Sequence, residues 1–156
     1  MGDLLAEALS TAPPSNPAAL QRQEDPRLKR SRIRGDRKKL LRALVALLEH
    51  AFQTAGDTPV RLELETAPGD RLRLAVVCPS VSLPGPEERE RMFEGFRCVD
   101  GMESPARGVG LGLPLARMIA EAHQGEVGFG DEPEVCSLWM SLPVARAVEE
   151  KSDDPV

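Results

Sequence analysis

The sequence predicts an α+β sandwich: a mixed, mostly antiparallel sheet covered on one face by about three helices. Three observations carry this reading. Val60-Arg61-Leu62-Glu63-Leu64-Glu65 alternates apolar and polar residues, and Leu72-Arg73-Leu74-Ala75-Val76-Val77 follows a Pro68-Gly69-Asp70 turn, which makes an antiparallel hairpin. Two stretches, 37–54 and the run after Gly112, repeat apolar residues at helical spacing. The predicted order is strand, helix, strand, strand, helix, loop, helix, strand, strand.

Each element has its own justification. Residues 1–25 are rich in Pro, Ala and Ser, with one apolar cluster at Leu4, Leu5, Ala8 and Leu9, and are expected to form a disordered or weakly helical arm. The domain is expected over 26–145, and 146–156 reads as an acidic flexible tail. Leu28 to Arg34 is expected as an edge strand whose charges discourage edge pairing. Asp36 suits an N-cap, and Leu40, Leu41, Leu44, Leu47, Leu48, Ala51 and Phe52 make one apolar stripe behind it. A short helix is predicted from Pro86 to Phe96, with Glu87 and Glu88 in its first turn and Met92 and Phe93 on its inner side. Glu126–Phe129 and Val135–Leu142 are the last strands, with Trp139 expected in the core or at a helix–sheet seam.

The chain of 156 residues is long enough for one domain with a core, and its net charge of −5 leaves the partners open. Charge is uneven: Arg27, Lys29, Arg30, Arg32, Arg34, Arg37, Lys38 and Lys39 crowd one short stretch, a solvated surface or a patch for an acidic partner. The near absence of aromatic residues there argues against base stacking, hence against nucleic acid. Cys78, Cys98 and Cys136 are odd in number and far apart, which suggests neither a disulfide framework nor a zinc site. No apolar run approaches the span of a bilayer and no signal-peptide pattern opens the chain, so a cytoplasmic protein without a membrane segment is expected.

The chemistry concentrates in Gly108-Val109-Gly110-Leu111-Gly112-Leu113. Three alternate glycines leave the backbone bare of Cβ atoms, able to fold closely around a phosphate. Leu111, Leu115, Met118, Ile119 and Ala122 then recur at helical spacing, and Gly125 suits a C-terminal stop. A glycine loop that feeds a helix N-terminus makes an anion site, because unpaired N–H groups and the helix dipole point at one spot. The alternative is a loop before an ordinary core helix.

Gly-Val-Gly-Leu-Gly-Leu, a helix, then Glu121-Ala122-His123-Gln124-Gly125 resembles the second glycine box of the histidine-kinase catalytic and ATP-binding domain, of the wider Bergerat-fold (GHKL) group that includes gyrase and heat-shock ATPases. The resemblance runs in order over roughly residues 27 to 144. It implies a Bergerat-type α/β sandwich, in agreement with the element order. The family's Asn box, close to Asn-Leu-Leu-x-Asn-Ala, falls on Ala46-Leu47-Leu48-Glu49-His50-Ala51. His50 stands where the family's Asn holds Mg²⁺, and imidazole is a poor substitute for a hard oxygen ligand; it could hydrogen-bond a phosphate directly or be a partly exposed helix histidine. Glu49 is the nearest carboxylate for the metal, one helix position round the axis. The first glycine box, near Asp-x-Gly-x-Gly-Ile-Pro, falls on Cys78-Pro79-Ser80-Val81-Ser82-Leu83-Pro84. Cys78 replaces the Asp that receives the adenine amino group, a loss of about 1.5–3 kcal/mol, or roughly ten- to a hundredfold in affinity. Ser80 and Ser82 could supply hydroxyls in place of the glycines, or the loop meets no nucleotide. Met92-Phe93-Glu94-Gly95-Phe96 resembles the box that anchors the lid, which would run from Arg97 to Arg107; Arg97 and Arg107 flank it within reach of phosphates or solvent. Val109 removes a phosphate-binding hydroxyl, and His123 reads as structural.

The implied ligands are ATP or ADP, with Mg²⁺ if its altered ligand set permits. The implied nucleotide contacts are Gly108, Val109, Gly110, Leu111, Gly112, Leu113, His50, Cys78, Ser80, Ser82 and Arg107, with His50 and Glu49 at the metal. His50 and His123 are the two histidines of the chain, and neither lies in a His-Glu/Asp-x-x-x-Pro phosphoacceptor pattern. The expected function is therefore an atypical ATP-binding kinase domain of two-component signalling, passing the phosphoryl group to a histidine outside this chain. One alternative is a nucleotide-free pseudokinase or adaptor that binds a response regulator or a kinase partner. Another is an anti-sigma-factor serine kinase on the same fold.

Overall fold

The computed structural model describes residues 1–94 and 112–145. Among these lie four α-helices, α1 Gly2–Thr11, α2 Arg37–Ala55, α3 Pro86–Phe93 and α4 Gly112–Ala122. Five strands, β1 Leu20–Glu24, β2 Val60–Ala67, β3 Arg71–Cys78, β4 Glu126–Phe129 and β5 Cys136–Pro143, form one sheet in the order β1-β2-β3-β5-β4. β1 runs parallel to β2, and every other neighbouring pair is antiparallel. The α+β class and the mixed, mostly antiparallel sheet follow the sequence expectation.

The alternation of β2 sets the faces. Val60, Leu62 and Leu64 are buried beneath the helices, while Arg61 and Glu63 stand on the opposite side and pair with each other at 2.6 Å. Leu72, Leu74 and Val76 of β3 and Leu138, Met140 and Leu142 of β5 continue the inner layer, none more than 2% exposed. α2 lays Leu40, Leu44, Leu47, Leu48, Ala51 and Phe52 on that layer. It starts at Asp36, whose carboxylate accepts the Lys39 N–H at 3.1 Å, and ends at Gly56 with φ 57°. The β2–β3 turn uses Gly69 (φ 81°) and Asp70 (φ 54°), as the Pro-Gly-Asp sequence predicts.

Several expectations are corrected. The first 25 residues are not an arm: α1 buries Leu4, Leu5 and Ala8 in the common core, and residues 20–24 form the parallel edge strand β1. The amphipathic cluster is short, but it meets a prepared apolar surface on α2 and the sheet, and tertiary packing supplies what helix propensity does not. Leu28–Arg34 is not a strand. Pro26 begins a 3₁₀ turn over Pro26–Arg30, capped by Asp25 through the Arg27 N–H, and only Arg32 makes a bridge, to Ala145. Trp139 lies on the face away from the helices. Its indole covers Gly128 of β4, the Arg73 guanidinium stacks 4.7 Å above it, and its N–H donates to the Phe129 carbonyl at 3.0 Å. A polar handle paired to backbone suits a half-exposed sheet face. The expected tail 146–156 and the lid 97–107 lie outside the described residues.

The end of α4 also differs in detail. The left-handed residue is Gln124 (φ 60°), not Gly125. The Gly125 N–H donates to the Ala120 carbonyl at 2.7 Å and the Gln124 N–H to Glu121 at 3.0 Å, the paired bonds of a Schellman stop. Gly125 is required for closeness instead: a Cβ there would lie 2.5 Å from the Ser141 carbonyl oxygen.

Candidate functional site

The start of α4 sits on the middle of α2. A Cβ on Gly112 would stand 3.7 Å from the Ala46 Cβ, an ordinary contact between small residues that lets the two backbones approach. Around this junction lies a groove of about 350 Å³, lined by Thr11, Leu41, Arg42, Val45, Ala46, Glu49, Gly112 and Leu115. Arg42, Ala46 and Glu49 share one face of α2 because they are spaced four and three residues apart. One cation, one carboxylate and the first residue of α4 thus meet on a wall that is apolar apart from Thr11. A helix N-terminus presents N–H groups without intrahelical partners and a positive dipole end, which favour an anion, and α4 begins at this junction.

The structure brings together only part of the set expected from sequence. Glu49 and Gly112 line the groove. Leu113 does not: it is 4% exposed, in the core. Cys78 is 1% exposed, and its thiol donates to the Ala51 carbonyl on α2 at 3.7 Å, so it belongs to the β3–α2 packing. Burial pushes this thiol up to about 12, with Cys136 adding to the effect, so it stays protonated at neutral pH. Ser80 and Ser82 are exposed on the turn that follows β3. That turn is tied down by backbone bonds, Val81 N–H to the Cys78 carbonyl at 3.1 Å, Cys136 N–H to Val81 at 2.6 Å and Leu83 N–H to Pro133 at 3.0 Å. His50 is half-buried, one turn beyond Ala46 on α2, and its carbonyl accepts the Thr54 hydroxyl at 2.9 Å. Gly108, Val109, Gly110, Leu111, Arg97 and Arg107 lie outside the described residues. Sequence reasoning missed Arg42; its spacing of four from Ala46 was the available signal.

Among the described residues no three His, Cys, Asp or Glu side chains converge as a ready metal cluster. Mg²⁺ needs less when phosphates are present, since one or two carboxylates plus phosphate oxygens suffice. Glu49, a hard oxygen donor on the groove wall, fits that need, whereas His50 offers nitrogen.

Two further motifs take structural places. His123 closes α4 on the α2 cap, its Nδ1 donating to the Ile119 carbonyl at 2.7 Å. Phe93 of α3 packs edge-on against Phe129 with centroids 5.6 Å apart, and the Arg117 guanidinium of α4 lies 5.6 Å from the Phe93 centroid. α3 is thereby held between β4 and α4. No helix among the described residues is long and apolar enough to cross a membrane.

Comparison with known proteins agrees with this architecture. The profile of the family described as histidine kinase-, DNA gyrase B-, and HSP90-like ATPase matches residues 35–146. Sensor histidine kinase AruS of Pseudomonas aeruginosa is 34% identical over 122 residues, covering 73% of this chain. The chain spans 12% of the length of that relative. The mycobacterial sensor histidine kinase MprB superposes with a TM-score of 0.72 at 22% identity, over 94% of this chain and 97% of that one. Full-length ShkA in complex with AMPPNP gives 0.69 at 24% identity, over 93% of this chain and 30% of that one. The two structural likenesses establish the fold.

Proposed function

The chain belongs to the histidine kinase-, DNA gyrase B- and HSP90-like ATPase family, and on that premise we propose that it is a histidine-kinase ATP-binding domain of two-component signalling with an altered nucleotide site. ATP or ADP is bound at the α2–α4 junction, and the phosphoryl group goes to a histidine outside this chain. The observation that carries this reading is the Gly112–Ala46 contact, which sets the helix behind the glycine loop against the wall that carries Glu49 and Arg42. The α4 N-terminus and the loop glycines 108 and 110 cradle phosphate, and Arg42 adds a cation nearby. Glu49, rather than His50, is the protein ligand of Mg²⁺ beside phosphate oxygens. Bound there, the ion neutralises phosphate charge. With Cys78 turned to Ala51, the base loses its charged anchor, so affinity is lower than a carboxylate would give.

The same thiol favours a second reading, a nucleotide-free pseudokinase or adaptor that docks on a response regulator or a kinase. Calorimetric titration with ADP and a non-hydrolysable ATP analogue, each with and without Mg²⁺, separates the two. Saturable micromolar binding that Gly110→Val abolishes supports the nucleotide site. Absence of binding at millimolar nucleotide, by folded protein, overturns it and leaves the docking role.

A further inference from the structure

Between residues 26 and 39 the chain carries eight cations and one carboxylate, in a molecule whose net charge is −5. The fold spreads this run across one end of the sandwich, from the 3₁₀ turn at Pro26–Arg30 to the first turn of α2. Arg27 forks onto Asp25 at 2.7 Å and Arg37 pairs with Glu7. Lys29, Arg30, Arg32, Arg34, Lys38 and Lys39 are exposed, and none forms an ion pair with a described residue. A patch of six like charges, offset in part by Asp36 near Lys39, raises the local potential and attracts anions.

The described chain returns to this patch at Ala145. Arg32 and Ala145 form a β-bridge, with the Ala145 N–H donating to the Arg32 carbonyl at 2.7 Å. Ala145, the last described residue before 146–156, therefore lies against the middle of the basic run. Residues 146–154 carry four carboxylates, Glu149, Glu150, Asp153 and Asp154, against two cations, Arg146 and Lys151. At about 3.3–3.6 Å per residue, four residues reach roughly 13 Å and nine roughly 30 Å, enough to lie along the patch.

We propose that the acidic segment Glu149–Asp154 docks in cis on the basic surface of Lys29–Lys39 and masks it from acidic partners. The pairing is electrostatic and exposed, so it is weak per contact and falls with ionic strength. It needs no cofactor and is independent of nucleotide binding.

Zero-length carbodiimide cross-linking of the full chain at low salt tests the contact. Intrachain links from Lys29, Lys38 or Lys39 to the four carboxylates, lost at high salt, are expected. Links only between chains, or none, overturn the proposal. The masking is read on a heparin column with the quadruple variant Glu149→Gln, Glu150→Gln, Asp153→Asn, Asp154→Asn. Its control is Glu87→Gln, Glu88→Gln, Glu90→Gln, Glu94→Gln, which removes as many charges at and beside α3. The tail variant is expected to elute at higher salt than the control. Equal elution would show that net charge alone acts and would overturn the masking.

Discussion

Nε2 of His123 accepts the backbone N–H of Asp36 at 3.1 Å, so the end of α4 receives the cap of α2 across 87 positions of sequence. Because Nδ1 faces the Ile119 carbonyl it carries the proton, and Nε2 is left as the acceptor. The ring fills the space beside Gly35, where a Cβ would lie 2.4 Å from the His123 Cδ2. Gly35→Ala is therefore expected to destabilise the fold by about 1–3 kcal/mol. Urea unfolding of Gly35→Ala, His123→Ala and the double variant checks this. The double variant should lose less than the sum, since removing the ring removes the clash.

Gln124 occupies a left-handed position with φ 60°, which glycine adopts without a Cβ penalty. Gln124→Gly should raise stability by roughly 0.5–1 kcal/mol, part of the relief being offset by the greater unfolded-state freedom of glycine. The Arg71 bond to the Gln124 carbonyl, 3.0 Å, is to backbone and survives the change. Thermal denaturation is the measurement, and a lowered midpoint would contradict the argument.

Leu5 is 1% exposed and sits in the same cluster as α2 and the sheet. Leu5→Ala is expected to cost about 2–5 kcal/mol. A dispensable arm would give a change near zero. Chemical denaturation distinguishes these outcomes directly.

Glu49 lines the groove with a carboxylate, while His50 offers a nitrogen donor on the neighbouring position. If nucleotide binds as proposed, Glu49→Gln should remove most of the Mg²⁺-dependent gain in affinity, and His50→Ala should leave that gain in place. Paired titrations with and without Mg²⁺ measure the difference. The reverse result would return the metal role to His50.

The Cys78 thiol has an ordinary value of 9.0 and is pushed up to about 12 in the fold, first by burial. The folded state thus prefers the neutral thiol. Its contribution to stability is complete below pH 9.0, and it is lost as pH rises from there towards about 12. Unfolding free energy should fall between pH 8.5 and 10.5 by less in Cys78→Ala than in the parent chain.

Local pattern made much of this protein legible. The β2 alternation, the α2 stripe behind Asp36 and the Pro-Gly-Asp turn were readable because their signals repeat within a few residues of chain. The glycine box and the Glu-Ala-His ending carried the family for the same reason. The first 25 residues escaped, because Leu4, Leu5 and Ala8 are too few to declare a helix until α2 and the sheet supply a surface for them. β1 escaped because a parallel partner 40 residues away leaves no hairpin signal. The direction of the Cys78 thiol, the place of Arg42 on the groove and the seat of Gly112 on Ala46 are relations between elements. Sequence by itself determined helix and strand where the pattern is local, as in α2, β2, β3, α4 and β5, because backbone and periodicity act over a few residues. Tertiary structure alone decided which faces meet, because burial of apolar surface acts between segments that sequence order keeps apart.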